Sequence, residues 1–136
     1  MPRKNYATAS EHDKWVNWIS ALRSASRHRI VLCEKRQDAV ALARFGVSHC
    51  TWLRVPEYEE LEAIAMSRAE CILLLNVNKH ADHKCEQLRA ELEELGVKVN
   101  TRFRKILFTT HAKEVSAIQT YLQKHVYEER KDLELY

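Results

Sequence analysis

Cys71-Ile72-Leu73-Leu74-Leu75-Asn76-Val77-Asn78 is an apolar run that stops at a pair of amides. A run apolar on both faces reads as a central strand of a parallel sheet, covered by helices above and below. Upstream, Ile30-Val31-Leu32-Cys33 has the same character and gives way at once to Glu34-Lys35-Arg36-Gln37-Asp38. Helical spacing fills the intervals. Asp38 to Phe45 predicts a short helix stopped by Gly46, and Tyr58 to Arg68 a second, with Leu61, Ile64 and Ala65 on one side. Ala81, Cys85, Leu88, Leu92 and Leu95 trace one face of a third, closed by Gly96. Alternating strands and helices predict an α/β fold with its parallel sheet sandwiched between helices.

Further out the pattern is weaker. Val47 to Val55 predicts a strand ended by Pro56, and residues 97–100 a short one. Ile106-Leu107-Phe108 fits a strand or a helical turn equally. Val115, Ile118, Leu122 and Val126 predict a last helix, followed by a polar tail. At the other end, Ser10-Glu11-His12-Asp13 resembles a capping box, with Trp15, Trp18, Ile19 and Leu22 following at helical spacing. The expected organisation is an amphipathic, basic helical extension over residues 1–28, a domain over 29–126 and a tail over 127–136. In a parallel sheet Glu34, Asp38, Asn76 and Asn78 all fall beyond carboxyl ends of strands, where open α/β sheets build their sites.

Bulk properties bound the function. The chain has 136 residues, enough for one domain, with 46% apolar and 30% charged residues. No apolar run approaches the length of a membrane span, and the N-terminal residues lack an apolar signal core. Cys33, Cys50, Cys71 and Cys85 are scattered without a CxxC spacing, which predicts free thiols and a cytoplasmic, reducing setting. The net charge is +3. Its distribution is uneven: residues 1–30 hold six Lys/Arg against two Asp/Glu, residues 31–96 eight against twelve, and residues 97–136 eight against five. Basic flanks around an acidic centre suit a polyanionic partner, although cations also solvate ordinary helices.

The order strand–Glu–xxx–Asp–helix, then a second strand with paired polar residues at its end, resembles the Toprim family. Members of that family occur in primases, topoisomerases, recombination proteins and small stand-alone proteins. Val31 to Leu42 looks like its first motif and Leu73 to Ala81 like its second. Gly96-Val97-Lys98-Val99-Asn100 with Arg102-Phe103-Arg104 resembles a segment of the small archaeal members. The resemblance implies a Toprim-like Rossmannoid fold with an extra N-terminal helix. It also implies Glu34 as general acid/base, with Asp38 as the later acid. Mg²⁺ would be held by Glu34 and by the positions of Asn76 and Asn78.

The departures from that pattern carry equal weight. Lys35 stands where the family has Gly, Asn76 and Asn78 where it has two Asp, and Ala81 where it has Gly. Exchanging two carboxylates for amides removes the charge that offsets Mg²⁺ dehydration. The expectation is therefore a degenerate, non-catalytic or weakly catalytic protein that binds RNA or DNA phosphates. Lys35, Arg36, Asn76, Asn78, Lys79, Arg102, Arg104 and Lys105 are its expected contacts, the amides and lysines favouring an anion beside a helix N-terminus. One alternative is a Mg²⁺-dependent nuclease or phosphoryl transferase using Glu34 and Asp38. Another is a protein-interaction scaffold using the Trp15/Trp18 face. His80-Ala81-Asp82-His83-Lys84-Cys85 invites a zinc reading, but it lacks a four-ligand spacing and fits a polar helix start better.

Overall fold

A computed structural model of the chain describes residues 7–108, 115 and 118. Among the described residues four strands form one parallel sheet: β1 (Arg29–Cys33), β2 (Cys50–Trp52), β3 (Glu70–Leu74) and β4 (Val99–Asn100), in the order β2-β1-β3-β4. The helices are α1 (Ala7–Ala25), α2 (Arg36–Arg44), α3 (Glu57–Ser67), α4 (Lys79–Glu94) and α5 (Arg102–Phe108). A single 3₁₀ turn, Ser26–His28, joins α1 to β1. The strand order is that of a doubly wound, Rossmann-like sheet.

Handedness then decides which face each helix covers. The chain leaves β1 in one direction through α2, and returns across the sheet through α3 and α4. Right-handed crossovers therefore put α2 on one face and α3 with α4 on the other. The buried side chains agree. Leu32 of β1 and Cys71, Leu73 and Leu75 around β3 pack with Leu61 and Ile64 of α3 and with Cys85, Leu88 and Leu92 of α4. Val31 and Cys33 of β1 and Ile72 and Leu74 of β3 face Ala39 and Leu42 of α2.

By itself α2 cannot cover that second face, because it lies over β1 and β2. The remainder is closed by α1, through Trp15, Trp18, Ile19 and Leu22, and by Leu107, Val115 and Ile118. Trp18 fixes the arrangement: its indole N–H donates to Phe103 O at 3.0 Å, and its ring meets Phe103 edge-on at 6.2 Å. The N-terminal helix is thus a layer of the core and not an extension appended to it. The Trp15/Trp18 face, read as a surface for a protein partner, is 2% and 5% exposed and already occupied within the chain.

Several boundaries differ from the sequence-based expectation. α1 begins at Ala7, so Ser10-Glu11-His12-Asp13 lies inside it and not at its start. Ala7 and Ala9 extend the helix backward because alanine is the strongest helix former. β2 is three residues long, not nine. His49 takes a left-handed φ of 55° directly before it, which interrupts the extended chain. β4 shrinks to Val99–Asn100, and Ile106-Leu107-Phe108 resolves as helix. Val115 and Ile118 are helical and buried; Leu122, Val126 and the tail lie outside the described residues.

Candidate functional site

β1 and β3 are neighbours in register, with Cys33 beside Leu74, yet their outgoing connections run to opposite sides. This is the topological switch point, and the crevice beyond it is where such sheets hold ligands. Glu34 and Asn76 sit there, at the first and second positions past their strands.

Asn76 organises the crevice. Its side chain is 2% exposed, and its Nδ2 donates to Glu34 Oε1 at 2.9 Å and to Asp38 Oδ2 at 3.0 Å. Its Oδ1 accepts the Val115 backbone N–H at 2.8 Å. That last bond settles which end of the amide faces the acids, because only an oxygen can accept from Val115. The two N–H groups thus tie two carboxylates together from the position between them.

Asp38 has a second task. Its Oδ2 also accepts the Lys35 backbone N–H at 3.2 Å, closing the first turn of α2 as the third residue of a capping box does. Its Oδ1 is buried without a hydrogen-bond partner among the described residues. Burial raises the Asp38 carboxyl above its ordinary 3.8, and the neighbouring Glu34 charge adds to the rise. The bonds from Asn76 and Lys35 and the Lys35 charge oppose it. The folded protein therefore holds this proton more tightly than the unfolded chain does. Stability contributed by Asp38 falls as pH climbs from 3.8 through the raised value, and the cost of burying the charge persists above it. Asp38→Asn should gain stability relative to the wild type from acid to neutral pH in paired urea melts. A difference that stays constant across that range would show that Asp38 titrates normally.

The other expected site residues divide between two ends of the sheet. Asn78 is exposed and caps α4, its Oδ1 accepting from Ala81 N at 2.8 Å. Lys35, Arg36 and Lys79 are exposed around the crevice. Arg102 and Lys105 are exposed on α5, away from it.

Arg104 is not on the surface at all. It is 6% exposed, its Nε donates to Leu75 O at 2.9 Å, and its Nη2 donates to Asn76 O at 2.7 Å and to Asp82 Oδ1. The expected phosphate contact is a structural clamp on the end of β3. A guanidinium fork suits it, since the strand end offers two neighbouring carbonyls to a planar donor.

These residues do not form a Mg²⁺ cage as arranged. Magnesium needs oxygens converging on one point. Glu34 Oε1 and Asp38 Oδ2 both take an N–H from Asn76, whose own oxygen faces Val115. The Asn78 oxygen is committed to α4. Among the described residues no group of three or more His, Cys, Asp or Glu side chains could hold a metal ion, the His80–Cys85 segment included. Burial also pushes the Cys50 thiol up to about 11 and the Cys71 thiol up to about 12. Neither supplies an appreciable thiolate nucleophile at neutral pH.

No family model matches the sequence, and no curated protein matches it. Among solved structures, a protein from Aquifex aeolicus aligns with a TM-score of 0.70 at 24% identity, over 75% of this chain and 95% of that one. At that identity the likeness speaks for the fold alone, an α/β Rossmann-like sheet with helices on both faces. No helix among the described residues is long and apolar enough to cross a membrane.

Proposed function

We propose that the chain is a Toprim-like protein that associates with nucleic acid without metal-dependent catalysis. The observation that carries this reading is the Asn76 amide between Glu34 and Asp38. In the motif that the chain resembles, an aspartate at this position would set three carboxylates around the crevice and call for a cation. The amide supplies two N–H donors instead, so the pair is stabilised from within the chain. Glu34 is only half-buried and so remains within reach of a ligand. Because the facing oxygens of Glu34 and Asp38 take N–H groups from Asn76, metal-assisted phosphodiester cleavage is not expected of this crevice.

Binding would draw on exposed cations: Lys35, Arg36 and Lys79 at the carboxyl edge, and Arg102 and Lys105 on α5. Four free cysteines support a reducing, cytoplasmic setting.

Titration of a fluorescent oligonucleotide in EDTA tests this reading. Affinity should be the same in EDTA and in millimolar Mg²⁺, should fall steeply with added salt, and should leave the strand intact. Binding or cleavage that appears only with Mg²⁺, and is lost in Glu34→Gln, would establish the rival phosphoryl transferase.

A further inference from the structure

Four cations that take no part in the Glu34 crevice gather near the opposite, amino-terminal edge of the sheet. Arg29 opens β1, Lys98 precedes β4, and Arg102 and Lys105 lie one turn apart on α5. All four line one depression of about 330 Å³. Its lining carries a single carboxylate, Glu70, which bonds Arg29 at 2.8 Å and approaches Lys98 at 3.8 Å. Four formal positive charges against one leave the basin electropositive, and the Lys98 side chain is 82% exposed. Past Arg29 the basic surface continues to Arg27 and His28, which line the adjoining depression.

Arg102 is also a wall of a second depression of about 330 Å³, lying between α1 and α5. Exposed Ala21 and half-buried Phe103 and Ile106 make its interior apolar, only an edge of the nearly buried Trp18 reaches it, and Lys14 and Asn17 complete the lining. The two depressions therefore share Arg102, with an apolar lining on one side of it and a cationic lining on the other. The second is large enough for a small planar group.

We propose that this composite groove is the nucleic-acid contact surface, taking a single strand with a backbone phosphate in the basin and an unpaired base in the slot. The proposal rests on the nucleic-acid reading above and assigns it to the amino-terminal edge. The pairing of a cationic track with an apolar aromatic slot is how single strands are held without sequence preference. A duplex could fill the basin, but its stacked bases would leave the slot empty. An acidic peptide would satisfy the charges and make no use of the apolar slot beside Phe103. The start and end of β1 are about 13 Å apart at strand rise, so the groove and the Glu34 crevice can be tested independently.

Anisotropy titrations of single-stranded RNA, single-stranded DNA and a duplex of the same sequence provide the test. Arg102→Ala/Lys105→Ala should weaken single-strand binding about tenfold and lower the slope of log affinity against log salt by about 1.4, two contacts at about 0.7 each. Ala21→Leu, which plugs the slot, should weaken single strands several-fold with the salt slope unchanged. Circular dichroism confirms that each variant is folded. Lys35→Ala/Arg36→Ala, at the carboxyl edge, should cause the smaller loss. If it causes the larger one, the groove is wrong while the nucleic-acid reading stands. Duplex bound as tightly as single strands overturns the base slot. A wild-type protein that binds none of the three overturns both proposals.

Discussion

Asn76→Asp should lose about 3 kcal/mol of stability at neutral pH, the low end of the cost of leaving buried charge uncompensated. For a chain of this size that is a fall of about 10 °C in Tm. The substitution is nearly isosteric, so the loss is electrostatic. It removes the N–H donors that reach Glu34 Oε1 and Asp38 Oδ2, and sets a third carboxylate oxygen about 3 Å from each. Two remedies should stabilise the variant more than the wild type, which already gains at low pH through Asp38. Lowering the pH neutralises one acid of the trio. Millimolar Mg²⁺ supplies the positive charge that the amide had made unnecessary. Differential scanning fluorimetry with EDTA or MgCl₂ reads both effects. An Asn76→Asp protein that melts with the wild type in EDTA would show that the amide is not what holds the carboxylates together.

Arg104→Ala should be comparably costly, at about 3–4 kcal/mol, because three acceptors lose their donor at once. Leu75 O and Asn76 O would be left without the guanidinium that reaches them at 2.9 and 2.7 Å, and Asp82 without its cation. Arg104→Lys should recover little of this. An ammonium is a point donor and cannot span both carbonyls and a carboxylate as the planar fork does. Chemical denaturation of the three proteins is sufficient, and a lysine variant as stable as the wild type would refute the clamp. Because Arg104 bonds Asn76 O while Val115 bonds Asn76 Oδ1, the two predicted losses should not add in the double variant.

The sheet was legible because β1 and β3 are buried on both faces, which forces uninterrupted apolar runs. The edge strands were not. β2 and β4 pair on one side only, and their side chains are half-buried, so nothing in their composition marks where pairing stops. The site was visible as a place but not as an arrangement. Spacing located Glu34, Asp38 and Asn76. It showed the amides as missing charge, whereas Asn76 acts through the hydrogens that replace it and Asn78 through an oxygen that caps α4.

Arg104 was misjudged for a related reason. Flanked by Arg102 and Lys105, it resembles part of a basic loop, and its burial follows only once 102–108 is known to be helix. Then Arg104 falls three residues before buried Leu107, on the face that meets the core. That spacing was the available signal.

The contact between Trp18 and Phe103 joins residues 85 positions apart. During synthesis at roughly 5–20 residues per second, α1 leaves the ribosome some seconds before the partner that covers it. During that interval α1 gains β1, α2 and β3 to rest against, but Trp18 lacks the carbonyl and ring that cover its outer side. The nascent protein is thus most vulnerable to aggregation while its first helix waits for its last layer, a period in which chaperone capture would matter more than any property of the finished domain.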